Sequence, residues 1–111
     1  MGEIVAIEKK SQGTLEEIAY KFTFTGATTL SGPTVTVWEV DSSVTPNTKT
    51  DKTATVMPTN SPTIAANVVT LSNLKLLTRD KKYEIHCKLT VDGRIQEAVG
   101  EVWGKDVVLD L

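Results

Sequence analysis

The chain is 111 residues long, 40% hydrophobic and 23% charged, with a formal net charge of -2. That length bounds it to one domain, 1-111, with a modest core, and twelve Lys and Arg against fourteen Asp and Glu exclude the basic footprint that a phosphate backbone favours, so no nucleic acid is expected as a partner. Thirty residues are Thr or Val, whose β-branched side chains suit a pleated, half-buried surface, and the expected class is all-β.

Met1 to Lys10 meets charge at Glu3 and again at Glu8, too early for a secretory apolar region, and no later run approaches the length of a membrane span. Gly2 lacks the myristoylation pattern, because Ala6 stands where that motif wants Ser or Thr. The expectation is a chain without a membrane segment, cytoplasmic on synthesis. Ile18, Tyr20, Phe22 and Phe24 then alternate with Ala19, Lys21 and Thr23, the period of a strand with one buried face. Ser31-Gly32-Pro33 punctuates the chain before a second strand, Thr34 to Val40. Asp41 to Lys52 is polar, carries Pro46 and Asn47, and predicts an exposed loop. A short strand around Thr53 to Met57 follows, then a turn flanked by Pro58 and Pro62, then β-rich sequence from Ile64 to Leu71.

Ser72 to Leu77 is the one helix-like stretch, short enough to be a single turn joining two strands. In the next strand Tyr83, Ile85, Cys87, Leu89 and Val91 alternate with Lys82, Glu84, His86, Lys88 and Thr90. It stops at Asp92-Gly93, the dipeptide favoured in a two-residue type I′ hairpin. Arg94 to Trp103 should therefore return antiparallel.

Short strands separated by turn signals fit an antiparallel two-sheet immunoglobulin-like sandwich of about seven strands. Leu77-Thr78-Arg79-Asp80-Lys81-Lys82-Tyr83 resembles the corner between strands E and F of fibronectin type III domains, where a Leu precedes the Tyr of a tyrosine corner by six residues; Arg79 stands where those domains usually have Pro. The order of elements also resembles small immunoglobulin-like proteins encoded among phage and prophage structural genes. That resemblance implies a virion or assembly component, head-tail or tail, acting through protein contacts.

The sequence offers no catalytic, cofactor-binding or metal constellation. Neighbouring strand residues point to opposite faces, so His86 and Cys87, the single histidine and single cysteine, read as a solvent-facing imidazole and a buried thiol. Cys87 has no partner for an intrachain disulfide, so packing must hold the domain together, which suits a reducing compartment. One His with one Cys does not make a zinc site. Glu16-Glu17 and the acids from Asp106 to Asp110 read as solvated edges. Asp41, Asn47, Asp51 and Asn60 match no calcium loop. Gly26, Gly32, Gly93, Gly100 and Gly104 stand singly, each a turn or a close-packing position.

A two-residue turn at Asp92-Gly93 fixes the hairpin register. Tyr83 then opposes Val102, Ile85 opposes Gly100, Cys87 opposes Ala98 and Leu89 opposes Gln96 on the core face. The other face pairs Lys88 with Glu97, Thr90 with Ile95, His86 with Val99 and Lys82 with Trp103. Ile95, Val99 and Trp103 would form an apolar outer row, the candidate interface with a protein partner or a second copy. Two readings without an interface compete: a bulge near Gly100 that turns Trp103 inward, or Val107-Val108-Leu109 folding over the row. Trp38 either packs into the core, with Thr36 and Val40 inward, or joins the outer row while Val35 and Val37 face in; the first is preferred, because exposed Trp is uncommon. The functional expectation is a non-enzymatic structural or assembly protein. The alternative is a ligand-binding module, such as a carbohydrate-binding β-sandwich in which Trp38 or Trp103 stacks on a sugar.

Overall fold

The computed structural model describes residues 9–13, 16–41 and 48–105. Readings that fall on Met1 to Glu8, Asn47 or Asp106 to Leu111 lie outside these residues. The described chain is built mostly of strands: β1 (Lys9–Gly13), β2 (Lys21–Thr23), β3 (Leu30–Asp41), β4 (Thr48–Asp51), β5 (Thr63–Ala65), β6 (Val68–Thr70), β7 (Lys82–Val91) and β8 (Arg94–Lys105). One helical turn, α1 (Thr53–Val56), lies between β4 and β5. A five-stranded sheet has the order β1-β8-β7-β3-β4, and a three-stranded sheet the order β2-β6-β5. All the pairings are antiparallel except that of β1 with β8.

The strictest alternation gives the most regular strand. Along β7, Tyr83, Ile85, Cys87, Leu89 and Val91 are buried while the residues between them are not. Its hairpin with β8 has the register set by Asp92-Gly93, from Lys82 opposite Trp103 to Val91 opposite Arg94. Both turn residues have positive φ, +47° at Asp92 and +84° at Gly93, as a type I′ turn requires. Phe22 and Val69 from the smaller sheet meet Val35, Val37, Ile85, Cys87, Ala98 and Val102 from the larger in one core cluster. The two sheets thus close over a single apolar layer.

Several boundaries differ from the sequence reading. Of the run from Ile18 to Phe24 only Lys21–Thr23 is strand, although Ile18 bridges to Leu74 and the amide of Leu71 donates to the carbonyl of Tyr20. β3 begins at Leu30 and passes through Ser31-Gly32-Pro33, where the ladder with β7 skips from Ser31 to Thr34; Gly32, at φ +61°, makes these residues a bulge inside the strand. The expected loop at 41–52 contains β4, an edge strand with four exposed residues held by backbone pairing to β3, which leaves no apolar signature to read. The expected strand around Thr53 to Met57 is replaced by the helical turn Thr53–Val56; the Asp51 carboxylate accepts the Thr53 amide at 2.9 Å and its hydroxyl at 2.7 Å, which favours a local turn over a strand. Ile64 to Leu71 is a hairpin, turning at Ala66 with φ +53°. Ser72 to Leu77 forms no helix; it is an irregular link that buries Leu74 and Leu77 and exposes Leu76.

Candidate interaction surface

The pleat that sends the apolar residues of β3, β7 and β8 inward sends their neighbours to the outer face of the five-stranded sheet. Val37 opposes Ile85 and Val35 opposes Cys87, so both valines face in and are buried. Trp38 opposes Glu84 and lies on the outer face, half-buried. The preferred core placement of Trp38 is therefore corrected: Val35 and Val37 fill the inner positions beside β7. Val40, also on the outer register, is buried but stands outside the main core cluster.

On β8 the outer positions are Ile95, Glu97, Val99, Glu101 and Trp103. Ile95 is 72% exposed, while Val99 and Trp103 are half-buried. The ladder runs without a shift past Gly100, which keeps Trp103 on the outer face, so the bulge reading is set aside. The expected row is not purely apolar, because carboxylates alternate with it. Trp103 Nε1 donates to Glu101 Oε1 at 3.0 Å, Lys82 Nζ lies 3.6 Å from Glu101 Oε2, and Lys49 Nζ donates to Glu84 Oε1 at 2.9 Å. The ring of His86 sits between two acids, Nε2 3.1 Å from Glu84 and Nδ1 3.3 Å from Glu97. Burial pushes the Glu84 carboxyl up, but hydrogen bonds and charge from Lys49 and His86 outweigh it and hold Glu84 below its ordinary value. Pairing arithmetic on the sequence places Lys88 opposite Glu97 but does not reach Lys49, because β4 has no apolar residue to mark it as a strand.

Elsewhere the candidate groups serve the fold. Cys87 is fully buried and its thiol is pushed up to about 11, by burial first and then by Glu97. His86 is on the opposite face, so the two cannot act as a nucleophile and base. Among the described residues no three His, Cys, Asp or Glu groups converge as metal ligands; Asp51 Oδ1 accepts the Thr53 amide, and Asn60 Nδ2 donates to the Val35 carbonyl at 2.9 Å. Glu16 accepts the Gly13 amide. An open cleft of about 380 Å³ lies between Glu17, Pro58, Leu71 and Lys75, away from both tryptophans.

Sequence reading passed over Gln12. On β1 it is buried, with Nε2 donating to the carbonyls of Leu74 at 2.6 Å and Glu16 at 2.9 Å and Oε1 accepting the Tyr20 hydroxyl at 2.9 Å. It ties β1 to the smaller sheet's side of the core.

No protein-family model matches the chain, and no curated protein is significantly similar to it.

Proposed function

We propose that the protein is a non-enzymatic structural or assembly module of immunoglobulin-like fold, a virion component of phage or prophage type, that works through the outer face of its five-stranded sheet. The strand order supports the fold reading. Placing B, E and D in one sheet and C, F and G in the other, with C′ at the edge beside C, matches β2-β6-β5 and β8-β7-β3-β4. Tyr83 supports it too, since its hydroxyl accepts the amide of Thr78, five residues upstream, at 2.7 Å, as in a tyrosine corner. Two features depart from antibody domains: Cys87 has no disulfide partner, and Trp38 of the third strand faces outward.

The observation that carries the functional reading is Ile95, 72% exposed, on one face with Val99, Trp103 and Trp38. A large aliphatic side chain left in water at one end of a sheet face that carries two tryptophans towards its other end suits a surface that another protein covers. Lysine-directed cross-linking in particles from the producing strain tests this. Cross-links to other virion proteins should concentrate on Lys49, Lys82 and Lys88 of the outer face. Concentration on Lys21 and Lys75 would overturn it, and a gene neighbourhood lacking capsid, portal and tail genes would remove the virion assignment.

The carbohydrate reading keeps one supporting observation. Trp38 and Trp103 share a face with the carboxylates Glu84 and Glu101 between them, as a stacking platform with hydroxyl acceptors would. Tryptophan fluorescence unchanged across a glycan panel would dispose of it.

A further inference from the structure

We infer that the occupant of the outer face is a second copy of the same chain, packed face to face across a two-fold axis through Val99; this rests on the reading of that face as a protein contact. Three observations lead there. The first is spacing. Ile95, Val99 and Trp103 lie on the outer register of β8 at equal intervals, so a two-fold axis perpendicular to the strand at Val99 sets Ile95 of each copy over Trp103 of the other and Val99 over itself. An isologous contact needs such self-complementarity. On β7 the same axis sets Glu84 of one copy over Lys88 of the other, an attractive pair.

The second is charge. Burying a carboxylate is tolerable when it is already paired. Glu84 has Lys49 and Glu101 has Lys82 within the sheet, and Glu97, 3.3 Å from the His86 ring, stands opposite Lys88 in the ladder. The axis brings Glu97 near Glu101 of the second copy, and those in-sheet partners offset the repulsion. A strongly charged partner would find no unbalanced field here to complement, whereas an identical face meets no net repulsion.

The third is size. The central strands β3, β7 and β8 run 12, 10 and 12 residues. At about 4.8 Å between strands and about 3.4 Å per residue, the face is about 24 Å across and about 34 Å long. Its shorter flanking strands leave an area on the order of 600 Å², so two such faces exceed the roughly 1,000 Å² in total that a specific interface needs.

Sedimentation velocity on the full chain tests the inference. Wild type should sediment as a dimer at high concentration, and Ile95→Glu should raise the dissociation constant at least ten-fold while keeping the wild-type melting temperature at concentrations where both chains are monomeric. In a second arm, Val99→Cys should form a covalent dimer under mild oxidation much faster than Thr63→Cys, which sits on an exposed position of the other sheet. A monomer at every concentration, a dimer indifferent to Ile95→Glu, or equal oxidation rates for the two cysteine variants would overturn it. If the chain alone is monomeric while cross-links in particles still fall on the outer-face lysines, the homodimer fails and the contact surface stands.

Discussion

The Tyr83 hydroxyl accepts the backbone amide of Thr78 at 2.7 Å and donates to Glu39 Oε2 at 2.8 Å, joining the link before β7 to the far end of β3. Tyr83→Phe removes both bonds and leaves a partly buried amide and carboxylate without this partner. The expected cost is about 1 to 3 kcal/mol, with the fold retained. A chemical denaturation midpoint equal to wild type would show that the corner contributes nothing.

Gly104 forms the other wall of that corner. Its amide donates to the Lys81 carbonyl and its carbonyl accepts the Asp80 amide, and a β-carbon there would collide with the Thr78 carbonyl. Because the obstacle is backbone, it cannot rotate away. Gly104→Ala should cost about 1 to 3 kcal/mol, as overpacking does, and a melting temperature at or above that of wild type would contradict the contact.

Asp92 does more than turn the hairpin. Its Oδ1 accepts the amides of Thr28 and Thr29 and the Thr29 hydroxyl, so the loop after β2 is pinned to the tip of β7-β8. The amide of Thr29, then that of Thr28, holds the carboxyl below its ordinary 3.8. A carboxyl depressed in the folded state adds stability that is present above the unfolded value and is lost as pH falls through the folded one. Asp92→Asn tolerates the left-handed turn but lacks that charge. Its melting temperature should fall less steeply than wild type below pH 3.8, and identical acid slopes would refute the role.

The buried amide of Gln12 makes a parallel case at high pH. Tyr20, whose hydroxyl donates to it, is pushed up to about 12, by burial first and then by Glu16, and a phenol raised in the folded state adds stability that is lost as pH rises from 10 towards 12. Tyr20 and Tyr83 are the only tyrosines and both are raised, so tyrosinate absorbance should develop above the ordinary value while the chain stays folded. Gln12→Ala should cost about 1 to 3 kcal/mol and speed hydrogen exchange at the β8 residues that pair with β1, from Glu101 to Lys105. Unchanged exchange there would mean that the ladder alone holds β1.

How legible each part was follows from where its information lies. The β7-β8 hairpin was readable to the register because two local signals agree, the alternation from Tyr83 to Val91 and the Asp92-Gly93 turn. β4 was not, since an exposed edge strand such as Thr48–Asp51 is specified by the backbone donors and acceptors of its neighbour. The bulge at Gly32 and the turn at Ala66 hid inside β-rich runs, where period alone does not show a change of direction. Trp38 was misplaced because an average burial preference was weighed against register, and once Val37 opposes Ile85 the register decides. The outer row was found by pairing arithmetic, while the lysine partner of Glu84 comes from a strand that the sequence did not reveal.

The alternation of His86 and Cys87 can be tested by chemistry. The thiol is fully buried and raised from 9.0 to about 11, so at neutral pH it is neither ionised nor reachable, and thiolate is the nucleophilic form. Alkylation of native protein should therefore proceed only through unfolding and accelerate in denaturant, whereas diethylpyrocarbonate should modify His86, partly exposed on the outer face, without unfolding in the dilute, monomeric chain. The raised thiol also adds stability that is lost as pH rises from 9 towards 11, so Cys87→Ala should lose the alkaline slope in that interval. Rapid alkylation of the native chain would place Cys87 within reach of solvent, and the inward face of β7 would have to be reassigned.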